Sequence, residues 1–496
     1  MPLNRREFVA AALAGAAIAA TPRLSQAQTR RPNILFILAD DLGYGDLSCY
    51  GRPDYQTPNI DRLAAQGVRF VNAYSAAPLC TPTRCAFITG RYPARTLVGL
   101  EEPLTEKGEL GERAKILGLP AEHPTIASLL KQSGYQTALI GKWHLGYLPN
   151  FGPVQSGFDE FFGIMSGAAD FFTHKDMRGD GDLYEGKVSV ERIGYMTDML
   201  TQRAVKYVTD RRKGSGTVTP FYLSLHYTAP HWPWEGPRDQ EVSRTLGKGY
   251  DGFTAGGSLK TYAAMMKSMD DGIGEVLRAL NRSGLADNTL VIFTSDNGGE
   301  RFSYNWPLRG QKFNLWEGGI RVPAIVRWPG AMPQSPSPKS KVGMPSQVGM
   351  REVGMRSQEG GPPPLIGNWQ SPIANPVITM DWTATMLAAA SAKPDPNYPL
   401  DGIDLSPIIR SASPHLRVPA SPRLLFWRTS VQDAALYGRW KYVRDGDQEY
   451  LFDLSVDERE QANFREQNPA MFTKLRDAFK NWEATVLPRP PPPRRS

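Results

Sequence analysis

Residues 32–46 read PNILFILADDLGYGD, and this stretch decides the fold. An unbroken apolar run from Ile34 to Ala39 stops abruptly at Asp40 and Asp41. A continuous run of this length is typical of a strand that is buried on both faces, as in a parallel sheet. The sequence therefore predicts that the paired aspartates stand at the carboxyl end of a central strand.

Three further segments share this design of a short apolar run that ends at polar residues. They are NTLVIFTSDNGGE, ending at Asp296 and Asn297; YQTALIGKWHLG, ending at Lys142 and His144; and PFYLSLHYTAPHWPW, leading to His226 and His231. Helical patterns lie between them, in TPNIDRLAAQG, in HPTIASLLKQSG and near residues 195–212 and 258–282. Alternating strands and helices predict an α/β fold with a large, mainly parallel central sheet flanked by helices. Ligands bind beyond the carboxyl ends of such strands, so we expect the four polar groups to converge.

The pattern changes in the last third of the chain. Residues 331–372 repeat Val-Gly-Met and are rich in proline, glycine and serine, which predicts a low-complexity insertion that buries little surface. Beyond residue 420, RLLFWR, AALYGRWKYVRD and QEYLFDLSVDE read as short antiparallel strands, followed by a helix near 469–484. We therefore expect a main domain over 30–420, a small C-terminal α+β subdomain over 421–486 and a Pro/Arg-rich tail over 487–496.

The N-terminus has the pattern of a bacterial export signal. Arg5 and Arg6 precede an alanine-rich apolar run, and small residues suit cleavage after Ala27, so residues 1–27 resemble a twin-arginine signal peptide. No later stretch reaches the roughly 18 consecutive apolar residues of a membrane span. We expect a periplasmic or secreted protein without stable membrane insertion.

The formal charge of +7 invites a nucleic-acid hypothesis. The excess lies in the export segment, the insertion and the tail, and the remaining body carries no net formal charge. Composition therefore gives no support for a basic face that follows a phosphate backbone. No nucleic-acid partner is expected.

The acidic residues at the two strand ends predict a metal site. Asp40, Asp41 and Asp296 supply carboxylates, and Asn297 supplies an amide oxygen. Such hard ligands suit Ca²⁺ or Mg²⁺ better than zinc. Each motif alone is more often a simple turn, but two at matching strand ends favour a metal.

Only three cysteines occur in the chain, too few for a disulfide framework. Cys49 and Cys85 could pair, or they could be small buried residues of the core. The third, Cys80, opens the stretch CTPTRCAFITGR.

This stretch resembles the signature of the type I sulfatases through Cys80-Thr81-Pro82-Thr83-Arg84 and the following Thr-Gly-Arg. The segments RPNILFILADDLGYGDLSCYG, TPNIDRLAAQGVRF, GKWHLG, FTSDNGG and GGIRVPAIVRWPG also resemble that family, over about residues 31–330. GAADFFTH and NWPLRGQKFNLWEGG resemble the arylsulfatase B-like branch, which includes N-acetylgalactosamine-4-sulfatases. The resemblance implies an alkaline-phosphatase-like sandwich fold.

The resemblance also implies how the site works. A maturation enzyme oxidises Cys80 to formylglycine, whose hydrate carries two hydroxyl groups. One attacks sulfur and leaves a covalent sulfoenzyme, and the other later expels sulfate and restores the aldehyde. One Ca²⁺ ion is expected, with ligands from Asp40, Asp41, the side chain at position 80, Asp296 and Asn297.

The same resemblance assigns further catalytic roles. Arg84 is expected to hold the hydrate, and Lys142 and Lys312 to contact the sulfate oxygens. His144 is the expected base for sulfate elimination, and His231 is expected to donate to the leaving group or to position the sulfate. His226 is expected to be structural, although its closeness in sequence to His231 leaves the choice between them open.

The sequence thus predicts a sulfatase acting on sulfated carbohydrates or aryl sulfates. Two alternatives are a phosphoester hydrolase of the alkaline-phosphatase-like superfamily, which would need three further zinc ligands, and a non-catalytic protein that binds sulfated glycans. The aromatic residues Trp232, Trp234, Tyr304 and Trp306 should shape the mouth of the pocket, where they either stack on substrate rings or pack between elements.

Overall fold

The structure is a computed structural model that describes residues 31–211, 219–246, 256–332, 376–411 and 423–489. All of these except Arg31 belong to one compact unit, Pro32–Ser496. The predicted export signal, nearly all of the insertion and the end of the tail lie outside the described residues.

A large sheet forms the centre of the molecule. The described residues contribute ten strands to it, in the spatial order β10-β2-β9-β8-β1-β7-β3-β4-β5-β6. Their bounds are β1 Asn33–Ala39, β2 Val68–Tyr74, β3 Gln136–Gly141, β4 Glu160–Ile164, β5 Leu183–Glu185, β6 Val188–Ser189, β7 Phe221–His226, β8 Thr289–Ser295, β9 Arg321–Arg327 and β10 Val377–Ile378.

The middle of this sheet is parallel, as the sequence predicts. Strand β1 pairs in parallel with β7 on one side and β8 on the other, and β3 continues the parallel order through β7 to β4. Strand β9 runs antiparallel to its neighbours β2 and β8. Because β8, β1, β7 and β3 are neighbours with a common direction, the polar segments that follow them leave the sheet at one edge.

Helices cover both faces of the sheet. They are α1 Pro58–Ala65, α2 Cys80–Thr89, α3 Lys107–Leu110, α4 Ile126–Gln132, α5 Met196–Asp210, α6 Gln240–Leu246, α7 Leu259–Arg282, α8 Glu317–Ile320, α9 Thr379–Ala389, α10 Ser406–Ser411 and α11 Pro469–Glu483. Strand β1 shows the two layers: Leu35 and Ile37 belong to one apolar core, and Ile34 and Phe36 to the other. Each large side chain buried in this way contributes about 1.5 to 3 kcal/mol.

Two helices begin later in the structure than the sequence pattern suggests. The pattern HPTIASLLKQSG starts at His123, but the helix starts at Ile126. Helix α4 begins after Thr125, whose hydroxyl accepts from Ser128 N–H in a capping box. The residues VITMDWTATMLAAA at 377–390 have a helical sequence pattern, but Val377 and Ile378 extend the sheet by pairing with β2 before α9 begins. A short apolar pair is ambiguous by pattern alone, and here the open edge of β2 decides its conformation.

A second, four-stranded antiparallel sheet follows, as predicted. Its strands are β11 Leu424–Arg428, β12 Gln432–Tyr437, β13 Trp440–Asp445 and β14 Gln448–Asp453, in that order. Helix α11 packs against it through Leu475, Phe479 and Trp482. In the described part of the chain, no helix is both long enough and apolar enough to cross a membrane.

A buried charge cluster joins this small sheet to the main domain. Lys441 on β13 lies 2.8 Å from Glu317 Oε1 and 2.8 Å from Glu460 Oε1. Tyr74 on β2 donates its hydroxyl hydrogen to Glu317 Oε2 at 2.9 Å, and Glu317 N–H donates to Glu460 Oε2 at 2.6 Å. The residues that follow Lys312 in sequence are therefore fixed from both sheets.

Candidate active site

The acidic residues predicted at two strand ends come together. Asp40 and Asp41 follow β1, Asp296 and Asn297 follow the adjacent β8, and all four side chains are buried. Asp41 N–H donates to Asp296 Oδ1 at 3.1 Å. Asp41 has a φ of 62°, a left-handed conformation that is uncommon outside glycine and marks a functional position when it is held in a rigid site.

The amide of Asn297 is only half satisfied. Its Nδ2 donates to Asp41 Oδ1 at 2.7 Å and to the Gly298 carbonyl at 2.9 Å. Its Oδ1 is buried and has no hydrogen-bond partner among the described residues. Ligand atoms of Asp40, Asp41 and His231 lie within 4.8 Å of one another, so these three residues form a possible metal site. Carboxylate and amide oxygens fit a hard divalent cation.

Arg84 binds the carboxylates from the side of helix α2. Its Nε and Nη2 donate to Asp296 Oδ2 at 3.0 and 2.8 Å, and Nη2 lies 3.3 Å from Asp40 Oδ1. The guanidinium is fully buried. Removing one partner of such a buried ion pair lowers the free energy of unfolding by about 3 to 5 kcal/mol. Arg84 therefore stabilises the cluster and also supplies positive charge to it.

Two buried lysines complete the positive charge. Lys142 Nζ donates to both carboxylate oxygens of Asp40, at 2.9 and 2.7 Å. Lys312 Nζ donates to Asp41 Oδ2 at 2.7 Å. The sequence predicts contacts from both lysines to sulfate oxygens, and each ammonium group lies at the site where such a contact could form.

The pKa values of Asp41 and Asp296 are shifted in opposite directions. Burial alone would raise the pKa of Asp41, but the charges of Lys312 and Lys142 outweigh it and hold that pKa well below its usual range. At Asp296, burial and the neighbouring charge of Asp40 outweigh Arg84 and raise the pKa to about 7. The positive charges of Arg84 and Lys142 therefore do not fully offset the effect of burial and of Asp40 on the Asp296 carboxylate.

Cys80 lies at the base of this cluster as the first residue of α2. It is buried, and its Sγ lies 3.2 Å from His144 Nδ1. Burial, which Lys142 and Lys312 only partly offset, raises the pKa of the thiol. A protonated thiol is a weak nucleophile, so the unmodified side chain gains little reactivity from its charged surroundings.

His144 is held as a proton acceptor. Its Nε2 lies 2.8 Å from the Leu104 carbonyl, which can only accept, so Nε2 carries the hydrogen and Nδ1 presents its lone pair to position 80. Burial and the charge of Lys142 lower the pKa of His144 well below its usual value. Leu104 N–H in turn donates to Thr81 Oγ1 at 3.0 Å. A neutral imidazole thus faces residue 80 in the tautomer that accepts a proton.

His231 lies on the opposite side of the cluster. Its Nδ1 donates to the Trp232 carbonyl at 2.6 Å, so Nε2 is left to accept from Lys312 Nζ at 3.2 Å. Nε2 also lies 3.4 Å from Asp41 Oδ2. Burial and the charge of Lys312 lower the pKa of this imidazole well below its usual value. His231 and Lys312 therefore act as one hydrogen-bonded unit.

His226 has a different environment, which supports the structural role expected for it. Its Nδ1 donates to the Lys142 carbonyl at 3.0 Å, and Nε2 accepts from Ser224 Oγ at 2.8 Å. Tyr222 O–H donates to the same Ser224 oxygen at 3.0 Å. Both ring nitrogens are engaged, and the ring buttresses the backbone that carries Lys142.

Two glycines allow the segments to approach so closely. Gly141 ends β3 with a φ of 119°, and a Cβ there would lie 1.7 Å from the His226 carbonyl oxygen. A Cβ on Gly298 would lie 1.9 Å from the Gly318 carbonyl oxygen. Any larger residue at either position would push apart two of the loops that carry the site.

Sequence reasoning missed two residues next to the site. Glu300 Oε2 is buried and has no hydrogen-bond partner among the described residues, and burial, opposed by Lys312, raises the pKa of this carboxyl to about 7. Phe313 is 38% exposed, has a φ of 80° and places its ring centroid 5.5 Å from Lys312 Nζ. Glu300 directly follows Asp-Asn-Gly-Gly, so its position was a usable signal; the exposure of Phe313 has no counterpart in the sequence.

The three cysteines carry no disulfide. All are free and buried, and Cys85 Sγ contacts Thr96 Oγ1 at 2.9 Å. The expectation of small buried residues at Cys49 and Cys85 is therefore correct, and the alternative of a bridge between them is wrong.

Comparison with known proteins gives a consistent result. A family model described as Sulfatase matches residues 32–391. The chain is 28% identical to arylsulfatase J of Mus musculus over 530 aligned positions, which cover 95% of this chain and 79% of the relative. It is 30% identical to N-acetylgalactosamine-6-sulfatase of Sus scrofa, with 83% of this chain and 71% of the relative covered.

A solved structure shares the architecture. The crystal structure of Ps i-CgsB in complex with k-i-k-neocarrahexaose is 29% identical, with a TM-score of 0.72 over 91% of this chain and 93% of that one. This match accords with the large mixed sheet and the small C-terminal antiparallel sheet.

Proposed function

Because the chain belongs to the sulfatase family and is a sulfuric ester hydrolase, we propose that it cleaves its ester through a formylglycine made from Cys80 and with one bound Ca²⁺. The observation that carries this proposal is the placement of Cys80 Sγ, 3.2 Å from the lone pair of His144, inside a buried cluster of matched charges. A thiol has no evident use there, since its raised pKa keeps it protonated. A hydrated aldehyde has one.

The hydrate at position 80 supplies one hydroxyl that bonds to sulfur and a second whose deprotonation expels sulfate. His144 Nδ1 is in the tautomer that accepts the proton of the second hydroxyl, because Nε2–H is committed to the Leu104 carbonyl. As that proton leaves, the bond between the side-chain carbon and the sulfate oxygen breaks. The carbonyl group returns, and sulfate departs with its charge.

The leaving alcohol needs a proton or a nearby cation as the sulfur–oxygen bond breaks. The Lys312 ammonium donates to His231 Nε2 and to Asp41, and it is buried among groups that keep it charged. We assign Lys312, with His231 as its hydrogen-bonded partner, to the negative charge that develops on the leaving oxygen. Lys142, on the other side, neutralises the sulfate oxygens.

A divalent cation, when bound, supplies positive charge that polarises the sulfate and stabilises the attacking oxygen. We propose that Asp40, Asp41, Asp296, Asn297 and the side chain at position 80 hold it. The unpartnered Asn297 Oδ1 supports this set, as do the hard oxygen donors. The grouping of Asp40 and Asp41 with His231 makes the imidazole a possible further neighbour of the ion.

We propose a sulfated carbohydrate as the natural substrate, with aryl sulfates as convenient reporters. One relative is named for an N-acetylgalactosamine 6-sulfate ester, and the similar crystal structure contains a neocarrahexaose. The exposed Phe313 ring beside Lys312 offers a flat apolar surface to a sugar ring. A panel of sulfated monosaccharides and aryl sulfates, assayed for released sulfate, tests this choice.

Two further parts of the proposal concern maturation and export. We propose that a formylglycine-generating enzyme meets the chain transiently and that residues 1–27 direct it through the twin-arginine pathway to the periplasm or the medium. Replacing Arg5 and Arg6 together by lysine should retain the enzyme in the cytoplasm. Normal export of that variant would contradict the pathway.

The decisive experiment combines mass spectrometry with kinetics. Protein made with a formylglycine-generating enzyme should carry an aldehyde at position 80 and hydrolyse an aryl sulfate in proportion to its aldehyde content. Fully active protein with only unmodified Cys80 would refute the mechanism. Modified protein that binds sulfated glycans without turnover would favour the binding-protein alternative.

A further inference from the structure

A groove of about 500 Å³ lies along the loop that carries Lys312. Its walls come from two distant parts of the chain, the loop before Lys312 and the segment after β14. The lining residues are Trp306, Pro307, Leu308, Arg309, Arg459 and Gln461.

The groove combines an aromatic surface with two guanidinium groups. Trp306 is 52% exposed, which is unusual for the largest apolar side chain. The Arg459 guanidinium carbon lies 3.9 Å from the Trp306 ring centroid. Arg309 stacks on Trp316 at 3.6 Å and donates to the Glu460 carbonyl at 2.9 Å. Both arginines are therefore held in place by stacking, with N–H groups left over for a ligand.

Neither arginine has a carboxylate partner among the residues that the structure describes. An arginine–tryptophan stack outside the groove shows the contrast. Arg439 stacks on Trp440 at 5.2 Å, and its Nε lies 3.3 Å from Asp453 Oδ2. Within the described ranges, the groove thus presents two guanidinium groups without a carboxylate at ion-pair distance, although Glu458 and Glu460 flank Arg459 in sequence.

The groove and the proposed sulfate site are close and rigidly linked. Arg309 precedes Lys312 by three residues, so their Cα atoms are at most about 10 Å apart. Gly318 N–H donates to the Arg309 carbonyl at 2.6 Å, and Lys312 N–H donates to the Gly299 carbonyl at 3.1 Å. The groove wall and Lys312 therefore belong to one short, anchored loop, and we take both to be contacted by one oligosaccharide.

We propose that this groove is a subsite for a second anionic group, a sulfate ester or a carboxylate, on a sugar next to the one whose ester is cleaved. Guanidinium N–H groups match the oxygen spacing of sulfate and carboxylate and bind them by paired hydrogen bonds. The exposed indole covers the apolar face of the sugar that carries the group. The inference rests on the proposed function, since it takes a sulfated carbohydrate as the substrate.

Binding without turnover tests the subsite directly. In full-length protein with Cys80→Ala, we would titrate synthetic galactose trisaccharides bearing one sulfate, two sulfates, or one sulfate and one carboxylate, by calorimetry. We expect the doubly charged ligands to bind about 5- to 10-fold more tightly than the singly charged one, a gain that added salt weakens. Arg459→Gln and, separately, Trp306→Ala should each bring this ratio towards one.

The matched control is Arg439→Gln, which removes a stacked arginine outside the groove. It should leave the ratio of the two affinities, doubly charged to singly charged ligand, unchanged. A gain with both doubly charged ligands identifies a general anion subsite, and a gain with the disulfated ligand alone identifies a sulfate subsite. A ratio near one, no binding at all, or a ratio that survives both groove variants overturns the proposal. Failure of the proposed function appears separately, as mature unsubstituted enzyme that releases no sulfate from any ester.

Discussion

Two clusters of buried charge can be compared within this molecule. One lies at the carboxyl end of the large sheet, where three carboxylates meet Arg84, Lys142 and Lys312. The other lies at the small sheet, where Glu317 and Glu460 meet Lys441. Both consist of full charges taken out of water, and in both the opposite charges are paired at hydrogen-bond distance.

The two clusters differ in which polar atoms remain without a hydrogen-bond partner. In the second cluster each carboxylate oxygen lies beside Lys441, Tyr74 or the Glu317 N–H, although Glu460 Oε1 has an ion-pair contact with Lys441 at 2.8 Å and no hydrogen bond among the described residues. In the first, Asn297 Oδ1 is buried and has no hydrogen-bond partner within the described ranges. The comparison teaches that burial of charge alone does not identify a functional site. An unsatisfied neutral oxygen among the charges, such as Asn297 Oδ1, is a more specific signal, because Glu460 Oε1 in the other cluster still lies 2.8 Å from a cation.

The largest expected effect separates chemistry from stability at the first cluster. Cys80→Ala should lower kcat for an aryl sulfate by at least about 10⁴-fold, or roughly 5.5 kcal/mol, because the proposed attacking group is gone. The melting temperature, followed by circular dichroism, should change little, since the side chain is small. Residual activity near that of the unsubstituted enzyme would identify another nucleophile.

The second cluster should respond in the opposite way. Lys441→Met leaves Glu317 and Glu460 buried without their cation and should cost about 3 to 5 kcal/mol in the free energy of unfolding, measured in urea. Adding Glu460→Gln should recover part of the loss, because one buried negative charge is removed. A loss below about 1 kcal/mol would mean that water or Arg321 compensates, and the contrast between the clusters would weaken.

Metal affinity gives an intermediate effect. Asn297→Ala removes the unpartnered oxygen and should weaken Ca²⁺ binding by about 10- to 100-fold in chelator-buffered titrations of mature enzyme, with activity restored at high calcium. The matched control is Asn59→Ala, which deletes an asparagine whose side-chain amide binds Asp270 and not one of the proposed ligands. Equal calcium dependence in both variants would remove Asn297 from the ligand set.

The smallest effect concerns pH. Burial and the charge of Glu317, opposed by Lys441, raise the pKa of Glu460 to about 7 from an ordinary value of 4.5. The folded state then binds more protons than the unfolded state between these values, so stability falls as pH rises from about 4.5 to 7. Glu460→Gln should flatten this decline by an amount on the order of 1 kcal/mol, measured as unfolding free energies at pH 5 and 7.5. An unchanged slope would show that Glu460 is ionised throughout.

Much of the fold can be predicted from the sequence because the central strands have clear apolar patterns. Apolar runs such as Ile34 to Ala39 are buried on both faces, so no amphipathic pattern obscures them. Their polar ends predict where the site forms, and the spatial order of β8, β1, β7 and β3 brings those ends together. That order itself depends on crossover connections and cannot be derived from local pattern.

The contacts within the site are less predictable. The pairing of Lys142 with Asp40 joins residues 102 positions apart, and the cluster of Lys441 with Glu317 joins residues 124 positions apart. No periodicity links such residues, since each pair exists only after the sheets have assembled. The identity of the site residues came from motifs, whereas their partners required the folded chain.

The hydrogen bond from His144 to the Leu104 carbonyl allows the side chains around the site to change during evolution without changing the imidazole tautomer. A main-chain oxygen persists whatever side chain residue 104 carries, so substitution there alters packing and leaves the imidazole tautomer intact. Thr81, next to position 80, accepts a hydrogen bond from the N–H of the same residue, Leu104. The wall of the pocket can therefore change its side chains to suit a new alcohol while the proton-transfer geometry is inherited unchanged.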